Sequence, residues 1–343
     1  MSQNTAKEKV LAKIRQANKA AAVGRLMLGE LKSWQEFLQA DSAIHENLSR
    51  RQWKSGAKDV KRRLSAEIKK FCSQNFEGMS IEHLSELFEE IKAKRRLELP
   101  VHEFESKYAK IKGRVISGNP AHSTIVFSLW GLQFKSPEDH LAKDVIQAIS
   151  SLLEAEEFLG NFNKKQHAQI KNEKEKIADY ISKSSFSARM AIIVCSSLVE
   201  AFLNGLSWEF CRTTENLAEL SNNKKKLLKD GSFREKLQKY PEIFTGRPLS
   251  EKDSETVETF LAEVKPYRDS LMHPSPFIGD EKYGGQDKTM NFYAIDSKLA
   301  FSTVSKTILL IAMIYSHINM NHQKWFVELR GFTNKNGPCN QSS

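Results

Sequence analysis

The sequence predicts a mostly helical chain in two parts, and three observations carry that prediction. Apolar residues recur every three or four positions through most of its 343 residues, among strong helix formers. One segment departs from the pattern: a Gly-Asn-Pro turn signal is followed by β-branched and aromatic residues, which read as a short strand or hairpin from about Thr124 to Phe134. Ser136, Pro137, Glu138 and Asp139 then form the sharpest helix start in the chain, with a cap, a proline at the first position and acids against the positive end of the helix dipole. The boundary is placed there. It gives a mostly helical N-terminal region over 1–135, a helical bundle over 136–330 and a flexible tail over 331–343.

In chain order, "AKEKVLAKIRQANKAAAVGRLMLGELKSWQEFLQ" and "KDVKRRLSAEIKKFC" have helical spacing. "SIEHLSELFEEIKAKRRLEL" follows with Ser80 as N-cap and Pro100 as its end. "KKQHAQIKNEKEK", Lys164 to Lys176, reads as a solvated helix or linker. Phe186 to Cys211 is apolar around much of its circumference and belongs inside a bundle. A basic segment broken by Gly and Pro leads to a helix from about Ser250 to His273. A Gly-rich loop and a last long helix from about Asp296 complete the chain.

Apolar residues at 40% and charged residues at 27% suit a globular protein rather than a disordered one. The net charge of +10 favours polyanionic partners, nucleic acid first and acidic membrane surfaces second. Cys72, Cys195, Cys211 and Cys339 are scattered without zinc-ligand spacing, as in a reducing, cytoplasmic setting. The N-terminus lacks the apolar core of a signal peptide, and Ile308 to Tyr315 is far shorter than the roughly 20 residues a bilayer needs, so no membrane partner is expected. Phosphate-loop, dinucleotide and H-E-x-x-H motifs are missing, and His317 and His322 do not share a helix face; no metal or cofactor is expected. "RRQWKSGAKDVKRRL", Arg50 to Leu64, could hold an RNA backbone and stack a base on Trp53, or it is simply an exposed amphipathic helix. "NNKKK", Asn222 to Lys226, could extend a basic groove.

The candidate site lies in "KPYRDSLMHPSP". Val257, Phe260, Leu261, Val264, Tyr267 and Leu271 keep helical register straight through Pro266, which predicts a kink there. Arg268 falls within that apolar arc and therefore needs an anionic partner, from the protein or from a ligand. His273 precedes Pro274, which disfavours helix geometry at the residue before it, so its ring can swing toward the face that Arg268 occupies. Asp269 could orient the imidazole, accept from Arg268, or simply be solvated. Arg95 and Arg96 before His102 have similar spacing but lie in a charged segment with Pro100 between them, and read as a decoy.

"YRDSLMH" resembles the R-x4–6-H signature of the HEPN superfamily, with Asp269 at a position where a polar residue is common. "MAIIVCSSLVEAFLNGLSWEF" resembles the first long helix of such a domain, "KKLLKDGSFREKLQKYPEIFTG" its second-helix region, and Lys298 to His322 its last helix. The likeness covers about Ser184 to Phe326. It implies an all-α, HEPN-like four- or five-helix bundle acting as a homodimer, with Arg268 and His273 as the catalytic pair, Asp269 in support and Glu200 on the flank of the first helix. It also implies a metal-independent endoribonuclease acting on RNA, as a toxin or phage-defence effector with an antitoxin or regulatory partner. The alternative is a catalytically inactive interaction module or a nucleic-acid-binding adaptor. The chemistry suits the residues: histidine transfers protons near neutral pH, and arginine presents a fixed fork to phosphate oxygens.

Overall fold

The computed structural model of the chain describes residues 2–42, 50–95, 97–112, 120, 122–162, 173–212, 218, 220–275 and 288–336. The side chains of 2–5, 50, 52, 53 and 64 are also outside the description, so base stacking on Trp53 falls there. So do most of the charged stretch after Lys164, most of the Gly-rich loop and the end of the tail. The chain divides into Met1–Ser136 and Pro137–Ser343.

In the first unit, α1 (Ser2–Leu28) packs against α3 (Arg50–Asn75) and α4 (Ile81–Lys94), with α2 (Trp34–Gln39) beside it. Ser33 and Ser80 start α2 and α4 by accepting backbone hydrogen bonds from Glu36 and His83. Strand β1 (Phe76–Glu77) pairs antiparallel with β3 (Lys110–Ile111). Strand β2 (Leu97–Pro100) runs into α5 (Val101–Lys107) and pairs antiparallel with β4 (Thr124–Ser128), whose other neighbour is β5 (Gly131–Lys135). The core gathers Val23, Leu26, Phe37, Leu87, Phe88, Phe104 and Phe127, with the Phe37 and Phe88 rings 4.6 Å apart. At the β4–β5 turn Gly131 has φ +99°, and a Cβ there would lie 3.0 Å from the Met27 carbonyl oxygen. Glycine is needed both for the left-handed backbone and for the close approach of α1.

The second unit opens with α6 (Pro137–Phe162), whose first turn holds Glu138 and Asp139. The central element is α7 (Lys174–Arg212). It packs along α6 and against α9 (Phe233–Thr245), α11 (Lys265–Met272) and α13 (Ser297–His317). Helices α8 (Asn222–Asp230), α10 (Glu251–Glu263), α12 (Lys288–Tyr293) and α14 (Lys324–Asn336) complete it. The last of these continues past residue 330, where a flexible tail was expected to begin. By length and composition α7 and α13 are apolar enough to cross a membrane; here Leu198, Val199, Phe202, Leu310 and Ile311 are buried in the unit's core, while Ile181, Phe186 and Leu309 are exposed. Two carbonyls near the C-terminus of α8 are met from other elements. Tyr240 donates to Leu227 and Leu228, and Ser207 donates to Leu228 at 2.8 Å.

This architecture corrects the expected fold class. The chain is mostly helical, but it carries two small sheets, and its helices are too many for a four- or five-helix HEPN-like bundle with one N-terminal hairpin. Strands β1, β2 and β3 are two to four residues long. In β2 the buried Leu97 and Leu99 alternate with exposed Glu98, a period too brief to interrupt the helical pattern on either side.

Candidate functional site

The candidate site begins where one expected helix becomes two. Helix α10 stops at Glu263 and α11 starts at Lys265, with Val264 between them at φ −116°. Pro266 has no N–H for the Ala262 carbonyl, and its ring crowds that oxygen, so the helix breaks two residues before the proline instead of bending at it. The ladder restarts when the Arg268 N–H donates to the Val264 carbonyl at 3.1 Å. It closes when the His273 N–H donates to the Asp269 carbonyl at 2.9 Å. His273 itself is non-helical, with φ −136° and ψ 62°.

Arg268 is half-buried and sits among carboxylates. Its Nη1 donates to Asp269 Oδ1 at 3.0 Å, and its Nη2 lies 3.7 Å from Glu200 Oε2. That second distance is an ion pair too long for a hydrogen bond. The guanidinium also lies over the Phe233 ring, 5.6 Å from its centroid. Each carboxylate has a second cation. Lys236 Nζ donates to Glu200 Oε1 at 2.6 Å, and Lys265 is hydrogen-bonded to Asp269 Oδ2. Three helices thus supply the cluster: α7 gives Glu200, α9 gives Lys236, and α11 gives Lys265, Arg268 and Asp269. Two carboxylates face three cations, so the group keeps an excess of positive charge.

Burial alone would raise the Asp269 carboxyl. The hydrogen bonds from Lys265 and Arg268 outweigh it and hold the group below its ordinary value. Lys236 is the most enclosed member, only 8% exposed. It occupies a core position on α9 with Phe233, Leu237 and Tyr240, and its charge is tolerable there because Glu200 meets it.

Of the four residues read from the sequence, Arg268, Asp269 and Glu200 therefore meet in one network, while His273 stands outside it. His273 is exposed, and its ring makes no hydrogen bond or ion pair with the described residues. Two members, Lys236 and Lys265, were not expected. Lys236 could have been found from its spacing, since it falls three residues after Phe233 and four before Tyr240 on the buried face. Lys265 is four residues before Asp269, a pairing distance on any helix.

Other features lie apart from this cluster. A cavity of about 320 Å³ between α9 and α10 is lined by Gln238, Lys239, Glu242, Leu249, Ser254 and Glu258, without Arg268 or His273. His317 Nε2 is 3.1 Å from Thr245 Oγ1, and His322 packs edge-on against Tyr315 and Phe326. Among the described residues no three His, Cys, Asp or Glu are grouped to hold a metal ion. Of the decoy pair, Arg95 caps α4 in a left-handed conformation, and Arg96 is outside the description. Comparison of the chain with protein-family models, curated proteins and solved structures gives no match.

Proposed function

We propose that the protein is an endoribonuclease in which Arg268 holds the scissile phosphate and His273 transfers the proton. The observation that carries this reading is a guanidinium fixed on one edge by Asp269, only loosely paired to Glu200, five residues from an exposed imidazole at the helix end. RNA supplies its own nucleophile. The 2′-oxygen attacks the adjacent phosphorus, the bond to the 5′-oxygen breaks, and the products are a 2′,3′-cyclic phosphate and a 5′-hydroxyl. The charge that gathers on the phosphorane meets Arg268, and the imidazole takes the 2′-proton or protonates the leaving oxygen. Glu200 and Asp269 act as positioning residues. The residues provide both charge and proton transfer, so the proposed reaction needs no metal. Two copies in a homodimer would divide the acid and base roles between two His273 rings. The biological setting proposed is a cytoplasmic toxin or phage-defence effector restrained by an antitoxin or regulatory partner.

A second reading is favoured by the contact between Arg268 and Asp269. In it the arginine is a structural cation and the protein is an inactive interaction module. RNA incubated in chelator with wild type, His273→Ala and Arg268→Ala separates the two. Under the first reading His273→Ala loses about 100-fold or more in rate, while its folding is unchanged because the side chain is exposed. An undiminished rate in His273→Ala overturns the assignment. A folded wild type that never cuts RNA leaves the second reading.

A further inference from the structure

Helix α3 is buried most deeply toward its C-terminal end, with Val60 packed partly buried against the same core. Ile68 and Phe71 are buried, but no described side chain from Arg51 to Glu67 is. The helix carries nine Lys or Arg against Asp59 and Glu67, which is most of the chain's net +10. At about 100° per residue, Arg51, Lys54, Lys58, Lys61, Arg62 and Lys69 fall on one arc of about 100°, along about 27 Å of helix. All six are exposed. Arg62 makes a loose ion pair with Asp59 at 3.7 Å, whereas Arg51, Lys54, Lys58 and Lys69 have no ion pair among the described residues. Lys54, Lys58 and Arg62 follow one another at four-residue intervals, a spacing at which like charges destabilise a helix. Folding alone gives no reason for this arrangement; a polyanion laid along the stripe does.

We propose that this face of α3 binds the phosphodiester backbone of a nucleic acid. An anionic membrane is the competing polyanion, but a basic amphipathic helix holds a bilayer through a free apolar face. Here the described large apolar side chains of α3, Val60, Ile68 and Phe71, pack on its own core, and none of them is exposed. Lysines and arginines without a shaped pocket neutralise phosphates rather than read bases, so binding is insensitive to sequence and steeply dependent on salt. This inference does not rest on the cleavage reading; it concerns a different surface and a different property.

The test is fluorescence anisotropy of the whole 343-residue chain carrying His273→Ala, so that cleavage cannot consume the probe. The probes are labelled single-stranded RNA, duplex RNA and duplex DNA over a salt series, with phosphatidylserine vesicles as a fourth arm. Lys54→Gln/Lys58→Gln/Lys61→Gln is compared with a charge-matched control, Lys143→Gln/Lys252→Gln/Lys324→Gln, whose lysines are exposed elsewhere. The stripe variant is expected to bind nucleic acid at least 10-fold more weakly at about 0.1 M salt. Its log K against log salt slope should flatten by about 2 to 3, the value for three lost phosphate contacts. It should melt no lower than its parent, because repulsion is relieved, and the control should stay within about 3-fold. The three nucleic-acid arms show which form is preferred. Stripe and parent binding alike with one slope, an equal loss in the control, or α3-dependent binding to vesicles alone would each overturn the proposal.

Discussion

Helices α3 and α7 are the chain's two contrasting long helices, and they are stabilised by opposite means. Helix α7 buries small and apolar side chains along most of its length, from Ser187 and Ala188 to Leu206 and Ser207. Its one charge at the candidate site, Glu200, is matched by Lys236 and Arg268. Among the described side chains of α3 none before Ile68 is fully buried, and Arg51, Lys54, Lys58 and Lys69 have no ion pair among the described residues. The difference teaches where to look for function. A charge inside a packed region is answered by the protein itself, whereas a charge array that the fold does not answer is available to a partner.

The contrast can be broken by substitution. The largest loss is expected at the core of α7: Leu198→Ala, at a fully buried position, should cost about 3–5 kcal/mol in urea unfolding. Glu200→Ala comes next, at about 2 kcal/mol, because it strips the buried Lys236 ammonium of its carboxylate. A double variant, Glu200→Ala with Lys236→Met, should recover much of that loss, since no charge is then left buried. Acid titration sharpens the comparison further. Asp269 has a lowered carboxyl in the fold, so its contribution is complete above the unfolded value of about 3.9 and disappears as pH falls through the folded one. Wild type should therefore lose stability below about pH 4, and Asp269→Asn should lose less over that window. The smallest effect belongs to α3: Lys58→Gln should change unfolding by no more than about 0.5 kcal/mol, in the stabilising direction.

Much of this contrast was legible in the sequence, and the failures have physical causes. The apolar circumference from Met190 to Leu206 marked α7 as central, and Ser136-Pro137-Glu138-Asp139 marked the start of α6. Strand character showed at Thr124 to Phe134, where β-branched and aromatic residues run together. Its partner β2 did not show, because pairing depends on residues distant in sequence and Leu97-Glu98-Leu99 alone is too short a signal. The mostly helical character was legible, but strands beyond one hairpin were missed for that reason, and a count of four or five helices failed because short helices such as α8, α11 and α12 merge with their neighbours in a periodic reading. At the site, the need of Arg268 for an anion followed from its apolar neighbours. Which anions supply it depends on how α7, α9 and α11 pack, which no local pattern encodes. The HEPN resemblance accordingly rests on the motif and the helices quoted for it, not on the architecture of the whole chain.

The proposed cleavage is tested most directly by the chemical identity of the RNA ends. Attack by the neighbouring 2′-hydroxyl leaves a 2′,3′-cyclic phosphate and a 5′-hydroxyl, and mass spectrometry of the fragments reads both. The account predicts those ends from wild-type protein in chelator and none from His273→Ala. Fragments ending in a 3′-hydroxyl and a 5′-phosphate, or cyclic ends formed equally by His273→Ala, would contradict it.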